Sequence, residues 1–164
     1  MNIKSILTFR TLISACFILL FSIVQVNAQE KGIYEIENDA ATNERSHFYD
    51  LAFKLHPTIY LKNNTVKKIY GEGDMKKITL EDSKSFDILN NQDTRYKDVE
   101  IITMKSISET DLNNHLDLSN TSVFGNLKYI YIRSNFTLTP EDIISFIKVN
   151  PNVRIFYKSA NQSE

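Results

Sequence analysis

The sequence predicts an α/β chain: a short stack of parallel strands with one or more return helices, preceded by an N-terminal helix and a β-hairpin. Three observations carry this expectation. A strand-like pattern that begins at Met75 recurs at Val99 and at Leu127. A helix with a marked start, Thr139-Pro140-Glu141-Asp142, follows the third copy and leads into a further strand. Upstream, one helical stripe and two short apolar runs occupy residues 39–70.

The chain opens with Lys4 and Arg10, an apolar stretch from Leu12 to Val24, and small residues in Val26-Asn27-Ala28 ahead of Gln29-Glu30. This is the layout of a secretory signal peptide cleaved after Ala28, and the apolar run is shorter than the ~20 residues of a spanning helix. Ile13-Ser14-Ala15-Cys16 has the form of a lipoprotein box, but apolar Phe17 to Phe21 follow Cys16 where a polar tether belongs, so cleavage is preferred over lipidation. The expected organisation is therefore residues 1–28 as signal, 29–74 as a cap-like helix and hairpin unit, and 75–164 as the repeat-like region. The last two together make one mature domain, periplasmic or extracellular. Cys16 is the single cysteine, so the exported part holds its fold without disulfides. It carries 17 basic and 20 acidic residues, which leaves no electrostatic footprint for nucleic acid or an anionic membrane. Residue usage rich in lysine, asparagine and isoleucine suggests a bacterial source.

Taken in order, Gln29 to Asn38 reads as an extended arm. Asp39 to Leu55 reads as a helix, with Phe48, Leu51, Ala52 and Leu55 on one stripe and Pro57 closing it. Thr58-Ile59-Tyr60-Leu61 and Val66-Lys67-Lys68-Ile69-Tyr70 flank a four-residue turn, Lys62 to Thr65, and make a hairpin. Gly71-Glu72-Gly73-Asp74 is a second turn.

From Met75 onward, apolar residues fall at positions one, four and six of each copy: Met75, Ile78, Leu80; Val99, Ile102, Met104; Leu127, Ile130, Ile132. The starts at Met75, Val99 and Leu127 are nearly evenly spaced, and Val153 begins a fourth copy at a similar interval. Positions four and six of such a strand point inward, and positions three, five and seven line the opposite face. In the fourth copy a one-residue shift makes Ile155 and Tyr157 the inward pair. Between strands, Thr139 caps a return helix with Pro140 at its first position, and Ile143, Phe146 and Ile147 form its buried stripe. Residues 111–120 have no clean stripe and read as an irregular loop with a partial helix. Parallel strands are expected near 77–81, 100–105, 128–133 and 153–158.

With Asn135 at position nine of the Leu127 copy, residues 75–159 resemble leucine-rich repeats of the type with helical returns, as in ribonuclease inhibitor. Repeat lengths in the twenties belong to that class. The resemblance implies a stack of coils that bury their inward positions on one another and need caps at both ends. Other copies depart from it: Ser83 and Ile107 stand at position nine, and leucine is scarce at the inward sites. An ordinary small α/β domain with crossover connections predicts the same strands.

No catalytic constellation or cofactor site is read from the sequence. His47, His56 and His115 are isolated and lack metal-ligand spacing. Glu35, Glu37 and Asp39 read as a solvated acidic arm. Asp111 and Asp117 lack the spacing of a calcium loop, and Gly71 and Gly73 lack the lysine-serine pair of a phosphate loop. Sequons occur at Asn63, Asn120, Asn135 and Asn161.

The strongest functional expectation concerns the outward face. Its C-terminal coils place Tyr129, Tyr131, Arg133, Arg154, Phe156 and Lys158 together, a mix of aromatic and basic residues suited to binding. The competing expectation is that another element, the C-terminal tail or the N-terminal helix, covers these aromatics. The hairpin is expected to cover one sheet edge, with the tail from Ser159 too short to cover the other. The chain is thus expected to be an exported, non-enzymatic binding protein whose partner is another protein or a surface ligand. A small secreted hydrolase and a periplasmic inhibitor or immunity-type protein are the alternatives.

Overall fold

The computed structural model describes residues 32–36, 45–119 and 122–160, with backbone alone at 106. The signal segment, the Ala28 cleavage point, Cys16, Glu37, Asp39 and the sequons at Asn120 and Asn161 lie outside the described residues. From Gly32 onward the chain forms one unit.

The molecule is mixed α/β, built on a seven-stranded, mostly parallel sheet. Its elements are β1 (Ile33–Glu35), α1 (Ser46–Phe53), β2 (Thr58–Lys62), β3 (Thr65–Tyr70), β4 (Lys77–Leu80), β5 (Ile101–Ile107), β6 (Leu116–Leu118), β7 (Tyr129–Ser134), α2 (Pro140–Phe146), β8 (Ile147–Val149) and β9 (Arg154–Lys158). The sheet order is β1-β9-β7-β5-β4-β2-β3. All its neighbours are parallel except β2 and β3. From β2 through β4, β5 and β7 to β9, each strand of the parallel run lies beside the one before it.

The inward positions build the larger core. Ile78, Leu80, Ile102, Met104, Ile130, Ile132, Ile155 and Tyr157 pack with Ile59 and Leu61 of β2, all buried. Ile130 is registered with Ile155 and Ile132 with Tyr157, the one-residue shift expected of the last coil. Buried residues of the return segments, among them Phe86, Leu89, Tyr96, Phe124, Leu138, Ile143 and Phe146, close the same core. The returns therefore lie on one face of the sheet.

α2 starts as the sequence predicts. The Thr139 hydroxyl accepts from the Asp142 amide, and the Asp142 carboxylate accepts from the Thr139 amide. Its stripe ends at Phe146, because Ile147 belongs to β8. A 3-10 turn, Glu109–Asn113, runs into the loop expected over 111–120, and β6 follows it, pairing in parallel with β8 as a second, two-stranded sheet. The return from β4 to β5 is made of 3-10 turns instead of an α-helix.

The hairpin turn is tighter than expected. Lys62 and Thr65 are paired, so the loop is Asn63-Asn64 alone, both at positive φ (49° and 57°). Asparagine tolerates that region, and a two-residue turn of this kind matches the strand twist.

The segments that leave successive strands are bonded to one another. The Asn63 amide donates to Asp82, the Ser83 hydroxyl to Asp111, the Asn135 amide to the Ile107 carbonyl, and the Leu138 amide to the Ser159 hydroxyl. Asp111, read from the sequence as part of an oxygen-rich loop, is held by these partners. Burial pushes its carboxyl up, but hydrogen bonds from Ser83 and Ser108 outweigh this and hold it below the usual range.

One sheet edge is covered as expected and the other is not left open. The hairpin covers the β4 edge through β2 but makes β3 the new edge. The β9 edge, expected to stay open, is covered by β1, with Tyr34 opposite Phe156.

Candidate functional site

The outward face carries three rows of side chains, set by the strand registers. Thr58, Lys77, Ile101, Tyr129 and Arg154 form the first; Tyr60, Thr79, Thr103, Tyr131, Phe156 and Tyr34 the second. Beyond them lies a third group at the strand exits, Lys62, Glu81, Lys105, Arg133 and Lys158.

Helix α1 covers the C-terminal half of this face, and that corrects the exposure expected of the predicted site. Tyr129, Tyr131 and Phe156 are buried at 4%, 2% and 1% exposure in a second core with Phe48, Tyr49, Leu51, Ile36 and Ile101. The physical reason is reciprocal burial: an apolar helical stripe and an aromatic sheet face each lose water by meeting. Phe48 stacks on Phe156 with centroids 3.9 Å apart and meets Tyr129 and Tyr131 edge-on at 5.7 and 5.6 Å. Of the other predicted residues, Arg133 is exposed and Lys158 half-buried. Arg154 is exposed but donates to the Tyr129 hydroxyl at 3.2 Å and lies over its ring.

Charged groups hold both ends of α1. At its C-terminus Lys77 Nζ donates to the carbonyls of Ala52 and Lys54 at 3.2 and 3.3 Å, where a cation suits the helix dipole. Burial pushes the Lys77 amine below its ordinary value, with nearby Lys105 adding to the effect and Asp50 opposing it. His56 Nε2 lies 2.9 Å from the Asp50 carboxylate, near the same helix end. At the N-terminus, His47 sits between the Tyr129 hydroxyl (3.3 Å) and the Glu100 carboxylate (3.4 Å). Glu100 also pairs with Lys76 at 3.1 Å and Lys128 at 2.7 Å, the three residues that precede β4, β5 and β7. Burial raises the Glu100 carboxyl, but Lys128 and then Lys76 outweigh it and leave the group below the usual carboxylate range. His115, the third histidine, faces the Ser145 carbonyl at 3.1 Å.

The uncovered half of the outward face lies over β3 and the exits of β2 and β5, with Tyr60 half-buried at its border. The β2–β3 register slips between Tyr60 and Leu61, which leaves Lys67 as the extra residue of a bulge. The bulge keeps Lys67 and Lys68 on the same side as Tyr60. Tyr70 is on that side too, opposite Thr58. Lys105 Nζ reaches over the Tyr60 ring at 5.5 Å. One carboxylate, Glu81, sits among these cations, 2.7 Å from Lys67 and 3.9 Å from Lys62. The hydrogen bond from Lys67 holds it below the usual range. Thr103 lies at the border of the two halves, and its buried hydroxyl has no hydrogen-bond partner among the described residues. The sequence carried a trace of this surface in Lys62, Lys67, Lys68 and Lys105, but the bulge that aligns Lys67 with Lys68 could not be read from it.

Among the described residues no group of three or more His, Cys, Asp or Glu is placed to hold a metal ion, and no helix is long and apolar enough to cross a membrane. Two surface cavities, of about 200 and 290 Å³, lie away from this face, lined by Leu118, Phe124 and Asn150 and by Asp74, Arg95 and Asp98 respectively. Compared with protein-family models, curated proteins and solved structures, the chain matches none.

Proposed function

We propose that this chain is an exported, non-enzymatic binding module that takes a partner of acidic surface on the uncovered half of its outward face. One observation carries the reading: Tyr60, Tyr70, Lys62, Lys68 and Lys105 share that half with one carboxylate, Glu81. Tyrosines beside cations are what binding surfaces use, because a rigid ring supplies contact area while the charge steers the partner. Within this proposal the parallel run is a leucine-rich-repeat-like stack. The sequential strand order and the returns on one face support that, as do the bonded coil exits. Export is supported by the signal-like segment from Met1 to Ala28.

The test is quantitative capture from the cell envelope and culture fluid, with the protein and its Lys68→Glu/Lys105→Glu variant as baits. The reading expects a partner held by the first and released by the second, both baits giving the same circular dichroism. Equal capture by both, or capture by neither, overturns it.

A further inference from the structure

The strand at the open edge goes further than the face beside it. Of the six exposed large apolar side chains among the described residues, three lie on β3: Val66, Ile69 and Tyr70. Every residue of β3 is exposed, and no described strand pairs with its outer side. An edge strand that offers backbone groups and apolar side chains together is a template for another strand.

Which backbone groups it offers follows from β2. The carbonyls of Pro57 and Leu61 accept from the Lys76 and Glu81 amides on the β4 side. Strand alternation turns Ile59 the same way and leaves Thr58, Tyr60 and Lys62 to bond β3. Val66 stands opposite Leu61, and Ile69 opposite Ile59. The amides and carbonyls of Val66 and Ile69 therefore face away from β2, toward the open edge.

A second copy of this chain is a poor occupant. Antiparallel self-pairing about the strand centre sets Lys67 and Lys68 of one copy against Lys68 and Lys67 of the other. That places four ammonium groups on one face, and like charges directly opposite destabilise a strand pair. The same lysines favour a strand with acids on that face. On the opposite face, Val66 and Ile69 favour apolar, β-branched neighbours.

We infer that β3 captures an extended protein segment of alternating acidic and β-branched residues, which joins the sheet as an eighth strand. This deepens the reading above and rests on it. Backbone hydrogen bonds to Val66 and Ile69 supply the register, Lys68 meets the acidic side chains, and Tyr70 packs at one end.

The probe is a fluorescein-labelled peptide of five Glu-Val repeats, read by anisotropy against the whole protein. Three comparisons decide the matter: the same peptide N-methylated at alternate amides, a Lys-Val counterpart, and the Lys68→Glu protein. The inference expects binding of the Glu-Val peptide alone. The N-methylated form should lose at least about fivefold, as expected when two or more hydrogen bonds worth roughly 0.5–1.5 kcal/mol each are removed. Charge reversal at Lys68 should also weaken binding. If plain and N-methylated peptides bind equally and Lys68→Glu weakens both, the edge inference falls while the acidic-partner reading stands. If no Glu-Val peptide binds but the capture experiment succeeds, the partner docks on the face and the edge inference again falls. Sedimentation showing a β3-mediated dimer would overturn the choice of occupant.

Discussion

Replacing Phe48 with alanine should release α1 without unfolding the sheet. α1 is eight residues long, and a helix that short does not hold itself in water. Its docking rests on burying Phe48, Tyr49 and Leu51, worth about 1.5–3 kcal/mol per side chain. The contacts of Phe48 with Phe156, Tyr129 and Tyr131 add roughly 0.5–1.5 kcal/mol each. Against this stands the ordering of the helix backbone, about 1–2 kcal/mol per residue. The two sides nearly balance, so a Phe→Ala change costing about 3–5 kcal/mol exceeds the margin. The larger core on the other face of the sheet does not include Phe48. Hydrogen exchange with mass spectrometry should then show α1 losing protection while β5, β7 and β9 keep theirs. Dye binding should report the uncovered Tyr129, Tyr131 and Phe156. Native protection of α1 in the variant, or simultaneous loss of protection in helix and sheet, would refute the argument that the helix is a separately docked cover.

Two further outcomes follow from local chemistry. The Glu100 carboxyl is depressed in the folded protein, so its stabilising effect is complete above the ordinary value of 4.5 and is lost as pH falls through the folded value. Glu100→Gln should flatten that acid limb in urea unfolding midpoints measured from pH 3 to 7, relative to the unmodified chain. Gly71 and Gly73 both lie at positive φ, 82° and 83°, but a side chain at Gly71 would meet Pro57 Cα at 3.0 Å while one at Gly73 meets nothing within 4 Å. Gly73→Ala should cost about 1–2 kcal/mol for the left-handed backbone alone. Gly71→Ala should cost more, and equal losses in thermal melts would show the Pro57 approach to be immaterial.

The strands were legible because a two-residue alternation survives substitution: Ile and Met fill the inward sites as well as Leu does. The Thr139 start was legible because a cap is a local device, complete within four residues. The covering of Tyr129, Tyr131 and Phe156 was not. Phe48 and Phe156 lie far apart in the chain, and nothing in either local pattern says which apolar surface closes which. Lys77 looked like an ordinary outward residue because its partners are helix carbonyls, which leave no mark in the sequence. β6 and β8 were missed for a different reason. Three-residue strands are too short to show a period, and Ile147 fitted the helical stripe equally well.

The pairing of β1 with β9 has a kinetic consequence. Ile33–Glu35 and Phe48 stand near the start of the described chain, yet both complete their contacts only against Arg154–Lys158 near its end. A polypeptide made from its N-terminus holds the partners for β4, β5 and β7 as soon as each next strand appears, and Tyr129 and Tyr131 already offer Phe48 a seat, but β1 stays unplaced and α1 lacks its Phe156 stack until β9 exists. The strands from β4 to β7 can pair progressively, whereas the pairing of β1 with β9 waits for a loop that spans most of the described chain, and such long-range contacts are the slow ones. Maturation of this fold therefore ends where the described residues begin, and a nascent form that stops short of β9 would present Tyr129 and Tyr131 with no Phe156 beside them.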